Sequence, residues 1–362
     1  MLSNMYKKDW SETKAKWDAY WKRENTGRPL MFLVGKRDER LQLPQAVDIN
    51  DSYMNGSGKV ARYRKYCENH EFLAESFPNL TLDFGPGSMA AYLGCNPVFQ
   101  PRTVWYEECV DDWLIYKDIV YDPDNEWFRK HIQVYQEAKK HAGDDIILAL
   151  PDIIENVDIL SSMRGAQNLL FDLIDEPEEM QRRIQQIDNI FFNYYDAFYD
   201  IAQLGGGSSH TLFQIWGQGK TAKLQCDFSA MMSPDMFREF IQPSLRTQAK
   251  KLDNVLYHLD GPDAICHLDA LMEIEEIDSL QWTSGDYNPD GTFEEWYPIY
   301  DKAVAAGKAL WIKVYTGEHE EQLKRVDRLI DRYGTSGMFL FFSPMPIAQA
   351  NHLLEYAERS WR

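Results

Sequence analysis

A histidine and an aspartate two residues apart, His258 and Asp260, follow an apolar run and stand directly before Gly261-Pro262. The apolar run predicts a short buried strand, and the Gly-Pro pair predicts where it ends. Side chains two positions apart on an extended backbone leave on the same face. Imidazole and carboxylate groups both bind divalent metals such as zinc. We therefore predict a metal site or an active site at this strand end.

Simpler explanations of these residues stay open. A histidine near a strand end often serves only as a structural hydrogen-bonding group, and an aspartate before Gly-Pro can close an Asx turn. Cys266 and His267 follow in the next predicted helix, where we expect them to pack in the core.

The chain that positions these residues alternates predicted strands with amphipathic helices. The eight strands lie near Phe32, Leu82, Leu148, residues 213–224, Leu256, Leu280, Trp311 and Leu340. Strands separated by helices imply a parallel sheet, and eight of them favour a closed barrel over an open sheet. We predict an α/β protein: a single (β/α)8 TIM-type barrel domain over residues 1–362, with an extra helix in an N-terminal extension, residues 1–28.

In such a barrel, residues at the carboxyl ends of all strands meet at one rim. The candidates at predicted strand ends are Asp83, Asp152, Trp216, Cys226, Asp227, His258, Asp260, Trp282, Asp286, Lys313, Tyr315 and Ser343. A carboxylate or imidazole desolvated among aromatic rings has a shifted pKa, so this mixture suits metal-assisted or acid-base chemistry. Taken singly, Asp227 could cap a turn, and Trp216 and Trp282 could be ordinary packing.

Composition excludes several classes of protein. The 362 residues include 38 Lys and Arg against 57 Asp and Glu, a formal charge of −19 that disfavours nucleic acid and anionic membrane. No segment approaches the length of a membrane span and the N-terminus lacks an apolar signal region, so we expect a cytoplasmic protein. Five scattered cysteines argue against a disulfide framework. The aromatic face of the helix predicted over residues 7–24 suits docking on the body or, in a homodimer, on a second subunit.

One stretch resembles a known superfamily. Residues 224–243, which read LQCDFSAMMSPDMFREFIQP, are followed by Tyr257-His-Leu-Asp-Gly261. This order of a strand ending in Asp, a Ser-Pro helix start and a strand ending in His-x-x-Gly resembles the uroporphyrinogen decarboxylase superfamily. That superfamily also holds methyltransferases that move methyl groups between corrinoid proteins and thiol or folate acceptors. The resemblance runs from about Gly143 to the C-terminus and implies one barrel.

This chain departs from the motifs of two groups within that superfamily, the zinc-dependent methyltransferases and the decarboxylase. Zinc-dependent methyltransferases of the superfamily have His-x-Cys at the strand end and another Cys after the last strand. Here the first position reads His258-Leu-Asp260, and residues 342–344 contain no Cys. The decarboxylase holds its tetra-acidic substrate with an arginine-rich motif, which Gly35-Lys-Arg-Asp-Glu-Arg40 does not reproduce. The resemblance therefore favours methyl transfer over porphyrinogen decarboxylation.

The resemblance thus implies a methyl-transfer enzyme for a small molecule, with a corrinoid protein as partner and zinc or another divalent metal as cofactor. The predicted metal ligands are His258, Asp260 and Cys226, the catalytic residues Asp83, Asp227 and Tyr315, and the substrate-binding residues Trp216, Trp282 and Asp152. The alternatives are a decarboxylase of a porphyrinogen-like or other carboxylated substrate, a glycoside hydrolase with Trp platforms and an acid pair, and a non-catalytic binding paralogue.

Overall fold

A computed structural model describes residues 2–3, 5–210, 212–285 and 288–362. The strands are β1 (Leu30–Lys36), β2 (His70–Ala74), β3 (Asn79–Leu80), β4 (Asn96–Phe99), β5 (Val104–Glu107), β6 (Ile147–Leu148), β7 (Gly207–His210), β8 (Ile215–Gln218), β9 (Thr221–Gln225), β10 (Asn254–Asp260), β11 (Ser279–Thr283), β12 (Ala309–Val314), β13 (Met338–Phe342) and β14 (Met345–Pro346). The helices are α1 (Trp10–Trp21), α2 (Ile49–Met54), α3 (Gly56–Asn69), α4 (Met89–Tyr92), α5 (Glu126–Ala142), α6 (Asn156–Arg164), α7 (Ala166–Asp175), α8 (Pro177–Ala202), α9 (Pro234–Met236), α10 (Gln242–Ala249), α11 (Leu268–Met272), α12 (Tyr297–Ala305), α13 (His319–Tyr333) and α14 (Ile347–Ser360).

The main sheet is built from parallel neighbours. Its strands follow the order β14, β1, β13, β12, β11, β10, β9, and β2 adds to β1 as an antiparallel strand. β3 and β6 form a second parallel pair, and a parallel bridge joins Leu150 to His210 in β7. The mixed α/β class with parallel strands, which the sequence predicted, is therefore confirmed.

Two strand predictions were wrong in detail. Leu82 lies beyond β3, which ends at Leu80. The region 213–224 holds two strands, because β8 turns back on β7 as an antiparallel hairpin before β9 begins. The direction of β8 is thus opposite to that of a barrel strand.

Each parallel strand has two faces of different character. Leu256, Trp311 and Phe339 belong to one apolar cluster, and we call the face on which they lie the inner face. Tyr257 and Leu340, one position away along their strands, belong to the cluster that also contains the helices, and they define the outer face. This separation follows from the two-residue period of a strand.

Helix α1 covers the inner face at the amino ends of the strands. The Trp17 ring lies 5.0 Å from that of Phe339, the second residue of β13. Tyr20 Oη lies 2.6 Å from Oγ of Ser279, the first residue of β11. The predicted N-terminal helix is therefore confirmed, and it packs on the body of the chain. In the described part of the chain, no helix combines the length and apolarity needed to cross a membrane.

Candidate metal site at the carboxyl ends of the strands

Three acidic or imidazole side chains converge where β9 and β10 end. Asp227, His258 and Asp260 each offer one ligand atom, and these atoms all lie within 4.8 Å of one another. Asp227 is exposed, and the other two are half-buried. We call these residues the acidic triad. A single divalent cation could contact all three, and solvent reaches the site from the side of Asp227.

The His258 ring is oriented by an amide on the neighbouring strand. Nδ1 of His258 lies in hydrogen-bond contact with Oε1 of Gln281. The Gln281 amide is itself fixed, because its Nε2 donates to Oγ1 of Thr283 at 2.9 Å. An amide oxygen only accepts, so Nδ1 carries the proton and Nε2 is the nitrogen with a free lone pair. Burial, followed by the charge of Lys223, lowers the pKa of His258 and favours this neutral, ligating form.

The carboxylate of Asp227 is held by a second amide. Nε2 of Gln225 donates to Oδ2 of Asp227 at 2.9 Å. Surrounding protein atoms desolvate the Asp227 carboxylate and, with the nearby charge of Asp260, raise its pKa to about 6 against the opposing charge of Lys223. Two carboxylates this close repel each other unless a proton or a cation neutralises them. This electrostatic conflict at a solvent-accessible strand end is the kind of charge arrangement that a metal ion relieves.

A buried ion pair includes Lys223, which lies two residues before Gln225 on β9. Nζ of Lys223 is 2.7 Å from Oδ1 of Asp152, and both side chains are almost fully buried. Lys223 also contacts Oε1 of Gln225 and so links this pair to the acidic triad. Burial alone would raise the pKa of Asp152, but the charge of Lys223, with that of His210, outweighs burial and lowers it. The described residues provide no hydrogen-bond partner for Oδ2 of Asp152.

The segment that carries Asp152 has an unusual backbone. Ile154 and Asn156 have φ of 54° and 50°, in the left-handed region that a β-branched residue such as isoleucine rarely adopts. Their neighbour Glu155 accepts a hydrogen bond from the backbone N of Gln225 at 2.7 Å, and Nδ2 of Asn156 donates to the Gln225 carbonyl at 2.9 Å. The strain therefore accompanies contacts that fix the end of β9, as is common at functional sites.

Aromatic rings line the inner face beneath the triad. The Phe213 ring lies 5.0 Å from the His258 ring and 5.7 Å from that of Trp311. Phe341 stacks on Phe32 at 4.6 Å and on Trp311 at 5.3 Å. These rings form an apolar floor on the His258 side of the acidic triad.

The remaining predicted rim residues follow other strands of the chain. Asp83 follows β3, is half-buried, and has its pKa raised by burial and by the charge of Asp152. Tyr315 lies just beyond β12 and is 47% exposed, with Nζ of Lys313 5.3 Å from its ring centre. Lys313 and Ser343 are both exposed. The predicted candidate Asp286 lies outside the described residues.

The structure places three predicted positions away from the acidic triad. Cys226 and Trp282 lie on the outer face in the helix-facing cluster, because each is one position out of phase with the inner-facing residues of its strand. The Cys226 thiol is therefore not part of the metal-binding group, and burial raises its pKa. Trp216 packs beside α1, with its ring 5.3 Å from that of Trp10 and its carbonyl accepting from Nε1 of Trp21 at 2.9 Å. Neither tryptophan faces the acidic triad.

Sequence reasoning missed the polar residues that support the triad. Lys223 and Gln225 lie at alternate positions of β9, in phase with the predicted Asp227, and Gln281 and Thr283 do so along β11. Polar residues with a period of two inside buried strands were the available signal, since such residues share one face. The same signal would have shown that the residues between them, including Trp282 on β11, point to the opposite face and do not belong to the site.

Comparison with known proteins gives the fold but no family. Neither a protein-family model nor a curated protein matches the chain. Among solved structures, a methyltransferase from Methanosarcina mazei matches with a TM-score of 0.62, covering 96% of this chain and 98% of that chain at 11% identity. The native xylanase 10B from Thermotoga maritima matches with a TM-score of 0.36 over 92% of this chain and 86% of that chain, at 12% identity. The first match shows a shared fold over almost the whole chain, and the second is too weak to support an argument.

Proposed function

We propose that this chain is a methyl-transfer enzyme in which Asp227, His258 and Asp260 bind a divalent metal ion. The observation that carries the proposal is the convergence of three ligand atoms within 4.8 Å at the carboxyl ends of neighbouring parallel strands. Carboxyl ends of parallel strands are where barrel enzymes place their chemistry. The proposal includes a closed barrel formed as one domain of the uroporphyrinogen decarboxylase superfamily, with residues 1–28 as an extension.

The residues present fit a divalent ion. One imidazole nitrogen and two carboxylates form a harder ligand set than the thiolate-containing set of the zinc methyltransferases, so it selects less strongly for zinc and also suits manganese or iron. A three-residue set leaves coordination positions for a substrate. The bound ion would supply Lewis acidity that lowers the pKa of a thiol or hydroxyl acceptor.

The chain's own side chains would orient and shield this chemistry. Gln281 holds Nδ1 of His258 and so leaves Nε2 free, which would bind the ion, and Gln225 fixes one oxygen of Asp227. The apolar floor keeps water away from an activated acceptor. Asp83 and Tyr315 stay candidate catalytic residues at the rim, while Asp152 is better suited to support β9 through Lys223 than to touch substrate.

Support for methyl transfer comes from the fold and from the resemblance of residues 224–261. The match to the Methanosarcina methyltransferase covers nearly the whole of both chains, which favours this reaction among those that the superfamily performs. The natural methyl donor is then a corrinoid protein and the acceptor a small molecule. Cytoplasmic location and homodimer formation stay predictions.

Elemental analysis of the purified protein tests the metal site. We expect one divalent ion per chain in the wild type and loss of that ion in both His258→Ala and Asp260→Ala. His352→Ala is the matched control, because His352 is exposed on α14 and should leave the metal content unchanged. A wild type that contains no metal and binds none on titration with zinc, manganese or iron(II) would overturn the assignment.

A spectroscopic assay tests the reaction. Free methylcobalamin and a small alkyl thiol are mixed with the metal-loaded protein, and the loss of the methylcobalamin absorbance is followed with the appearance of the methyl thioether. We expect turnover that His258→Ala abolishes. Bound metal without transfer to thiols or folates would direct attention to decarboxylation or to a binding role. Trp216 and Trp282, the tryptophans predicted to bind substrate, lie away from the acidic triad, so neither offers a platform for a sugar there.

A further inference from the structure

Two cysteines far from the acidic triad lie in direct contact. Cys95 immediately precedes β4, and Cys109 follows β5 by two residues. The antiparallel pairing of Asn96 with Glu107 brings these two segments side by side at the base of the hairpin. The two Sγ atoms lie 3.2 Å apart. We call these residues the cysteine pair.

The two thiols differ in exposure. Cys95 is 1% exposed and points into the core, where its Sγ lies 3.7 Å from the carbonyl of Ser162. Cys109 is only partly buried, and Oη of Tyr116 lies 4.0 Å from its sulfur. A reagent from solvent therefore reaches Cys109 first, and Cys95 lies behind it in position to react next.

The pKa values of the two thiols also differ, and they favour Cys109 as the first to react. The hydrogen bond between the two thiols lowers the pKa of Cys109. The same hydrogen bond, with burial, raises the pKa of Cys95. The thiolate is the reactive form of cysteine, so the accessible member of the pair is also the more nucleophilic one.

We propose that Cys95 and Cys109 form a dithiol site that hydroperoxides oxidise to an intramolecular disulfide. The Cys109 thiolate attacks one peroxide oxygen, the O–O bond breaks, and protonation of the leaving oxygen gives water and a sulfenic acid on Cys109. The Cys95 sulfur then attacks the Cys109 sulfur, forming the S–S bond and releasing the sulfenic oxygen as a second water with the Cys95 proton. Two thiols and one hydrogen peroxide thus give one disulfide and two waters, with two electrons passing from sulfur to peroxide.

The geometry requires only a small movement. The sulfur atoms must approach by about 1 Å to reach the S–S bond length of roughly 2.05 Å. Gly94 directly precedes Cys95 and has φ of 119°, and a Cβ added there would meet nothing closer than Oη of Tyr116 at 3.7 Å. The backbone next to Cys95 is therefore not tightly packed against its surroundings.

The cysteine pair is connected to the element that supports the acidic triad. The backbone N atoms of Cys109 and Val110 both donate to the carbonyl of Met163 in α6, each at 2.9 Å. The first turn of the same helix carries Asp158, which accepts from the backbone N of Asp227 at 2.9 Å. The disulfide would therefore close the base of the hairpin at the point where it contacts α6.

Hydrogen peroxide followed by mass spectrometry tests the site. We expect wild-type protein treated with a slight excess of peroxide to lose 2 Da, to yield a peptide in which Cys95 is joined to Cys109, and to regain the mass on reduction with dithiothreitol. Cys109→Ser should abolish the cross-link. Cys95→Ser should leave a sulfenic acid on Cys109 that dimedone traps.

Cys266 provides the internal control. It is the exposed thiol of the chain, and its sulfur lies within hydrogen-bond distance of the Asp263 carbonyl and of Nε2 of His267. Cys266→Ser should leave the 2 Da loss unchanged. The proposal is overturned if peroxide modifies Cys266 while Cys95 and Cys109 both stay free for alkylation, or if the cross-link that forms includes Cys266.

Discussion

The two ends of the same parallel strands differ sharply. At their amino ends the inner face is closed by α1, where Trp17 packs on Phe339 and Tyr20 reaches Ser279. At their carboxyl ends the same face carries the acidic triad, which is open to solvent. Apolar burial stabilises one end, whereas the other holds close carboxylates that oppose folding unless they are neutralised. The difference places the stabilising aromatic contacts and the candidate metal site at opposite ends of the strands.

Removing an aromatic ring at the closed end should have the largest effect. Trp17 is fully buried, and its Nε1 donates to the carbonyl of Glu75 at 3.3 Å. We expect Trp17→Ala to lower the free energy of unfolding by about 3–5 kcal/mol, because it leaves a large cavity under the sheet. Urea denaturation measures this change.

The matched control for that variant is Trp105→Ala. Trp105 is 68% exposed on β5, so its truncation should change stability by no more than about 0.5 kcal/mol. Folded Trp17→Ala should bind metal as the wild type does. Loss of metal from the folded variant would show that the two ends of the strands are coupled. It would contradict the conclusion that the contacts of α1 and the acidic triad act independently.

At the open end, Gln281→Leu should weaken metal binding while the fold is kept. Leucine cannot accept a hydrogen bond from Nδ1 of His258, so the ring loses its fixed orientation. We expect a 10–100-fold loss of metal affinity, the range typical of residues that orient metal ligands. Isothermal titration with the metal that the wild type binds measures it.

Gln248→Leu is the corresponding control. Gln248 is buried on α10 and donates to Asp188, away from the acidic triad, so its loss should lower stability and leave metal affinity unchanged. Equal affinity in wild type and Gln281→Leu would mean that another group orients His258. If the wild type binds no metal, the assignment of the triad fails instead.

The smallest expected effect is a change in stability on replacing Asp278, which lies at the closed end of the strands. Asp278 accepts from the backbone N of Val255 at 2.8 Å, and burial raises its pKa to about 6 despite the charges of Arg23 and Lys308. An unfolded aspartate titrates near about 3.9, so between these pH values the folded state holds more protons and its stability falls as pH rises. We expect Asp278→Asn to raise the free energy of unfolding at pH 7.

Two pH units correspond to about 2.7 kcal/mol, and partial exposure of Asp278 reduces the expected gain to roughly 1–2 kcal/mol. Asparagine keeps the side-chain oxygen that accepts from Val255. Denaturation at pH 7 and at pH 4 measures the effect, since the gain should disappear at the lower pH. An equal gain at both pH values would assign it to packing and not to titration.

The sequence by itself determined the alternation of strands and helices, the N-terminal aromatic helix and the strand end at His258 and Asp260. These are local properties, because apolar periodicity and turn residues act over a few positions. The two-residue period of β9 and β11 was also present in the sequence. It could have assigned Cys226 and Trp282 to the outer face without any structure.

Only the tertiary structure decided which strands are neighbours and in what direction each runs. The reversal of β8 moved Trp216 to the end covered by α1, although its local sequence resembles that of any buried strand. The contact between His258 and Gln281 depends on the register of β10 and β11, which pairs these residues across 23 positions of chain. Register and strand order arise from contacts between distant segments, which local propensity does not encode.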